Sequence, residues 1–390
     1  MSSLVILSSY NWGNSMKFII STQELNFLVN KIQNIVPAKP TVPLLGNVLI
    51  RASQGRLTLT ATDLTIGIEC STSAKVIEEG STTLPAKKLA QLLKELTAVN
   101  LEVSTNANHV TEIVADSSRF KLNGMSEQQF PTLPDMSTAG KVAIPQSVLQ
   151  DALYRTSFAV SREDNRFALT GVCMQVAEGW TMFVGTDGKK LSRICIPIPA
   201  ESTSFGQYVI PLKSVEEIVK NLTNEGEVYL YLMSDKIAIE ANDTLIVSKL
   251  LTGEYPDVNR VIPEVASLNV TLHREELISL LRQLSPFVSD ANHSARFSFS
   301  TGELKLTANT SEVGEGKVSM PVNYQGERLD VAFNPGFYLD ILRHCKEETV
   351  TMGLIDAYNP GIIADQDSLP QVSKVTGPLF ILMPMRLQEE

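Results

Sequence analysis

The chain has 390 residues, 43% of them hydrophobic and 19% charged, a balance that excludes wholesale disorder and accommodates two or three domains with separate cores. Its formal charge of −10 excludes a simple nucleic-acid-coating protein, while leaving a local basic surface open. No apolar run reaches the roughly 18–20 residues that span a bilayer. Cys70, Cys173, Cys195 and Cys345 form no CxxC pair and read as buried thiols of a reducing, cytoplasmic compartment.

Residues 1–15 carry only a short apolar run and no basic leader, so they read as a disordered arm, or as the product of an upstream start codon with Met16 as the functional start. From Phe18 to Val36 a strand runs into a helix whose Leu25, Leu28, Val29, Ile32 and Val36 form one apolar stripe. Thr22 sits near the expected helix start and Glu24 in the first turn, where the helix dipole favours an acid. Arg56–Cys70 alternates as strands. STTLPAKKLAQLLKEL (Ser81–Leu96) then carries a strand through a proline into a second helix, and Ser117–Pro134 closes the segment.

The same order returns twice. Val142–Val160 is a strand and helix with Val148, Leu149, Ala152, Leu153 and Thr156 inward and Pro145 or Ser147 at the start. Trp180–Ile198, the strand–proline–helix Gln207–Leu222 and the closing Thr244–Pro263 follow. The third copy runs Asn269–Val288 (His273 near the helix start, Glu275 and Glu276 in its first turn), Glu303–Val322, Leu329–Cys345 and Gly377–Leu387. The pairs Thr62-Asp63 and Thr186-Asp187 keep the register. This period is too long for a solenoid and fits a small domain. The expectation is therefore an α+β chain of three repeated domains, each with two helices packed on antiparallel β-sheet. The boundaries expected are 16–137, 138–267 and 268–390, with linkers near Pro131–Gly140 and Pro256–Ser267. Both helices on one side of each sheet would align six helices along one face.

Catalytic patterns are missing. His109, His273, His293 and His344 are scattered without zinc spacing, and no P-loop, GxGxxG or GxSxG occurs. Thr-Asp-Gly at Thr186–Gly188 reads as an ordinary turn. A hydrolase centred on Asp187 and Lys189 lacks a nucleophile. The chain is expected to be no enzyme and to need no cofactor or metal. Its helical segments carry Lys31, Lys87, Lys88, Lys94, Arg155, Lys213, Lys220, Arg274, Arg282, Arg343 and Lys346 against Glu24, Glu95, Asp151, Glu216, Glu217, Glu275, Glu276, Asp340, Glu347 and Glu348. The helices are thus near neutral while the rest holds the surplus acid.

KPTVPLLGN (Lys39–Asn47), TDGKKL (Thr186–Leu191), SKLLTGEYPDVNRVIP (Ser248–Pro263) and the terminal MPMRL (Met383–Leu387) occur in an order that resembles the bacterial DNA sliding clamps, the β subunits of DNA polymerase III. The resemblance runs from Met16 to Leu387. It implies a head-to-tail homodimer of three-domain subunits closing a ring around duplex DNA, with helices lining the hole and touching phosphates without reading bases. It further implies a partner-peptide pocket between the second and third domains, used by the polymerase α subunit, the clamp loader and other clamp-binding proteins.

Carried over by motif, the pocket would use Leu169, Thr186, Gly188 and Leu191 from the second domain, and Pro256, Arg260 and Val261 from the linker. Asn334, Phe337, Ile381, Leu382, Met383, Pro384, Met385, Arg386 and Leu387 would complete it. Its expected chemistry is an apolar slot for a leucine or phenylalanine anchor. Lys189 and Lys190 stand where the family has a basic pair with histidine, Asn292 where some members have an aromatic, and Tyr358 and Pro360 where smaller residues are common. Gln388–Glu390 run past the usual last leucine. DNA contacts are expected from Lys39, Arg162, Arg166 and Phe167, with Lys87, Lys88 and Lys213 on helices. The dimer contact is expected between Arg119, Phe120 and Leu122 on a first-domain edge strand and third-domain residues around Phe287. The competing expectation is a three-domain interaction scaffold with no DNA function.

Overall fold

The computed structural model describes residues 15–136, 139–198, 204–263, 266, 268–289, 293–366, 369 and 377–386. In the first copy β1 (Met16–Ser21) enters α1 (Thr22–Ile32). Next come β2 (Asn47–Ser53), β3 (Arg56–Thr62), β4 (Ile66–Ser73), β5 (Lys75–Glu78), β6 (Gly80–Pro85) and α2 (Ala86–Glu95). β7 (Asn100–Thr105), β8 (Val110–Ala115) and β9 (Ser118–Asn123) close it. The second copy has β10 (Gly140–Pro145), α3 (Gln146–Ser157), β11 (Gly171–Ala177), β12 (Trp180–Thr186) and β13 (Lys190–Ile196). It continues with β14 (Gly206–Pro211), α4 (Leu212–Asn221), β15 (Glu227–Leu232), β16 (Lys236–Ala241) and β17 (Thr244–Lys249). The third has β18 (Leu268–His273), α5 (Arg274–Leu284), β19 (Ala295–Ser300), β20 (Glu303–Thr310) and β21 (Gly314–Pro321). β22 (Leu329–Phe333), α6 (Pro335–Arg343), β23 (Thr349–Leu354), β24 (Gly361–Ala364) and β25 (Pro378–Leu382) complete it.

The recurrent strand-to-helix step has a local cause. Pro85, Pro145 and Pro211 hold φ near −58°, −58° and −54° and lack an N–H, so each ends a strand and leaves the chain set for a helix. Elsewhere a side chain caps the start. Ser21, not the expected Thr22, accepts the Glu24 N–H on α1, and His273 and Asn334 serve α5 and α6. Leu25, Leu28, Val29 and Ile32 are buried as their spacing requires. In each copy the two helices pack against each other. Among the described residues no helix is long and apolar enough to cross a membrane.

Sheet topology crosses the repeats. One compact body contains the first copy with Gly226–Lys249; the other contains Ile144–Glu225 and the chain from Leu250. In the first body β5-β1-β7-β8-β9 form one sheet, and β10-β15-β16-β17-β4-β3-β2-β6 another. In the second, β14-β11-β12-β13-β25-β24-β23-β18 are continuous and β21-β20-β19-β22 stand separately. The junctions between copies are the antiparallel pairs β4–β17 and β13–β25.

Two helical charges sit differently from their sequence reading. Arg155 is buried, 2.6 Å from Asp365 and 3.1 Å from Asp151, so it adds nothing to an exposed basic face. It precedes the stripe residue Thr156 and reaches across to the turn after β24. Glu217 is likewise buried beneath Lys220 at 2.6 Å.

Candidate functional site

The turn between β12 and β13 is built by its own side chains. Thr186 Oγ1 donates to the Lys190 carbonyl at 2.7 Å and accepts the Gly188 N–H at 3.0 Å. Asp187 Oδ1 accepts the N–H groups of Lys189 and Lys190 at 2.8 and 2.9 Å. Gly188, at φ +83°, takes the left-handed position that favours glycine. Asp187 thus acts as a turn-former, as read from the sequence. Lys190 Nζ lies 2.6 Å from Asp187 Oδ2 and 4.3 Å from the Phe337 ring centroid, with only 8% of the side chain exposed. Lys190 is thus a buried strut between the second and third copies.

Beside this turn the chain leaves β25. The Met383 N–H donates to the Lys189 carbonyl at 2.9 Å and the Met385 N–H to the Ala332 carbonyl at 2.8 Å, threading 383–385 between the turn and β22. Leu169, Leu191 and Ile381 share one buried cluster with Tyr255, Val258 and Ile262. Leu382 belongs to the third copy's core. These expected pocket residues are buried, and the members of the expected set that are exposed are Gly188, Pro256, Arg260, Val261, Met383 and Arg386. Arg260 pairs with Asp257 at 3.2 Å. Asn334 Oδ1 accepts the Gly336 and Phe337 N–H groups, fixing Phe337 at the start of α6. Pro384 is half-buried. Leu387, Asn292 and Gln388–Glu390 lie outside the described residues.

The expected DNA residues fall in several places. Lys39, Lys87 and Lys88 are exposed on the first copy, Lys213 on the second. Lys87 and Lys88 open α2 and Lys213 opens α4, and neither helix has a side-chain cap or an acid in its first turn. A cation there opposes the helix dipole, an arrangement that an incoming anion would compensate. Arg162 and the 71%-exposed Phe167 line an open depression. Arg166 is turned back onto Asp164 at 2.9 Å, which holds that carboxyl below its usual range, and its guanidinium covers Gly188. Arg166 thus lies beside the turn between β12 and β13.

β9, carrying Arg119, Phe120 and Leu122, ends its sheet, and β21 ends another. Phe287 packs on β21, where a Cβ on Gly316 would lie 2.7 Å from its ring. Sequence reasoning missed the Arg155–Asp365 pair and the Lys190 strut, because charged residues read as surface until their partners are located.

The descriptions "DNA polymerase III beta subunit" N-terminal, central and C-terminal domain match residues 16–134, 143–257 and 259–378. The chain belongs to the DNA polymerase III beta subunit family. It is 48% identical to the beta sliding clamp of Chlamydia pneumoniae over 375 residues, 96% of this chain and all of the relative. The sliding clamp of Pseudomonas aeruginosa, solved bound to griselimycin, is similar at 28% identity and TM-score 0.89, covering 96% of this chain and all of that one. The Bacillus subtilis clamp shares the fold at TM-score 0.90 and 24% identity, again over 96% of this chain and all of its own.

Proposed function

We propose that two copies of this chain, a DNA sliding clamp and not an enzyme, close head to tail around duplex DNA and tether partners through the slot at the β13–β25 junction. The three domains would span 16–137, 138–267 and 268–390, in the cytoplasm. The observation that carries the clamp reading is the repeat itself, ending in two unpaired strand edges, β9 and β21, of the kind a second chain can extend. Lys87, Lys88 and Lys213 at uncapped helix starts, with Lys39 and Arg162 on loops, supply phosphate contacts without base readout.

The slot takes a peptide with one apolar anchor on the floor formed by Leu169, Leu191 and Ile381. Met383, Val261 and Pro256 flank the anchor, and Thr186, Gly188 and Asn334 hold the surrounding backbone. Partners of this kind are the polymerase III α subunit, the clamp loader and other proteins with a clamp-binding segment. Deleting Met383–Leu387 should abolish binding of such peptides in a fluorescence-polarisation titration and leave the dimer intact. Unchanged affinity would refute the slot. For the clamp, the complex on nicked circular DNA should survive high salt and be lost once the circle is cut. Equal loss from circular and linear DNA excludes topological retention.

A further inference from the structure

Eleven methionines and four cysteines hold the oxidisable sulfur of this chain. The cysteines are poor targets. Cys70, Cys173 and Cys345 are buried, and desolvation pushes their thiols and that of the half-buried Cys195 upward, away from the thiolate that attacks a peroxide. Met16, Met174, Met182, Met320 and Met352 lie in cores, and Met136, Met233 and Met385 are half-buried. Among the described residues the exposed methionines are Met125, on the first copy, and Met383, at the exit of β25.

The fold does not require methionine there. At the β4–β17 junction Gly67 stands opposite Val247, as Leu191 stands opposite Ile381 at β13–β25. In that matched register the Lys249 N–H donates to the Thr65 carbonyl as the Met383 N–H does to Lys189. The Leu251 N–H likewise donates to Val209 as the Met385 N–H does to Ala332. A lysine and a leucine thus serve where the exit of β25 has two methionines. These backbone bonds hold the path of the chain whatever the state of the sulfur. A chemical change at the Met383 side chain therefore acts on the surface it presents rather than on the fold.

Resting on the peptide slot read above, we propose that Met383 is an oxidation switch for that slot, thrown by hydrogen peroxide or an alkyl hydroperoxide. A sulfur lone pair attacks the terminal peroxide oxygen and the O–O bond breaks. The proton on the transferred oxygen passes to the leaving oxygen, so water or an alcohol departs. Sulfur is oxidised to the sulfoxide and the peroxide is reduced. The flank of the slot then changes from apolar to polar. An apolar anchor packed on it strips water from the sulfoxide oxygen and offers no donor in return, so the peptide binds more weakly. A methionine sulfoxide reductase, drawing two electrons from a dithiol and releasing water, restores the thioether and the slot.

The test treats the full chain with hydrogen peroxide, assigns sulfoxides by mass spectrometry of proteolytic fragments, and titrates a fluorescent peptide carrying a clamp-binding segment. Met383 and Met125 should oxidise before the buried methionines. Once Met383 is the sulfoxide, affinity should fall about tenfold while sedimentation stays unchanged, and sulfoxide reductase should restore it. Met383→Leu should show one affinity before and after peroxide, whereas Met125→Leu should lose affinity as the wild type does. Full affinity with Met383 wholly oxidised overturns the switch. So does a Met383 that stays reduced while core methionines oxidise, or an equal loss in Met383→Leu. An untreated wild-type chain that binds no such peptide instead refutes the slot reading itself.

Discussion

Asp187 illustrates how one carboxylate can fix a turn and an ion pair at once. Its Oδ1 closes the turn and its Oδ2 neutralises Lys190, whose ammonium then rests on Phe337. Asp187→Ala leaves a nearly buried cation unpaired, so we expect a loss of about 2–4 kcal/mol in urea unfolding and weaker peptide binding. Asp187→Asn keeps an acceptor for the two N–H groups and should lose clearly less; equal losses would assign the effect to the ion pair alone. The cysteines give a prediction in pH. Burial pushes Cys70 and Cys173 from 9.0 to about 12. Below pH 9 folded and unfolded states both keep these protons; between 9 and 12 only the unfolded state releases them. Stability should fall with rising pH across that window in denaturation curves, and substituting both cysteines with alanine should flatten the fall. At pH 8 neither thiol should react with a thiol reagent until the fold opens.

Turns of the same design recur where the copies join. Thr62, Asp63 and Ile66 make the bonds that Thr186, Asp187 and Lys190 make, and the Lys249 N–H donates to Thr65 as Met383 does to Lys189. One difference stands out: Leu64 sits at φ +74°, half exposed, where the later copy has Gly188. A leucine held there is strained by about 1 kcal/mol or more with little burial in return. Leu64→Gly should therefore raise the melting temperature by a few degrees in calorimetry, the gain reduced by the greater freedom of glycine in the unfolded chain. A lower melting temperature would mean that Leu64 packs against something that stabilises it. The helices were legible because a stripe such as Leu25–Ile32 reports burial directly, and the strand–proline–helix step because proline acts locally. The sharing of sheets was not legible. Alternation states which face of β13 is buried, but not that its neighbour is β25 from the next copy. The burial of Leu169 and Ile381 in one cluster was hidden in the same way, because it depends on packing between copies that a motif such as MPMRL does not report.

At the scale of the molecule the central tension is charge. A chain of net −10 handles a polyanion, so binding cannot rest on global attraction. In the proposed reading, cations at the starts of α2 and α4 and on loops would act locally, while Arg155 with Asp365 and Lys190 with Asp187 form buried internal pairs. Few phosphate contacts make for weak, salt-sensitive affinity. Weak affinity suits a protein that slides, provided that enclosure rather than attraction sets the lifetime on DNA. The two can be separated by reversing Lys87, Lys88 and Lys213 to glutamate. Equilibrium binding to short linear duplex should weaken, and its dependence on salt should become shallower by about one for each phosphate no longer neutralised. The lifetime of clamps already loaded on a nicked circle should stay nearly unchanged, because leaving requires a dimer junction to open. A lifetime on the circle that shortens in proportion to the weakened affinity would show that attraction to phosphates, not closure, holds the protein on DNA.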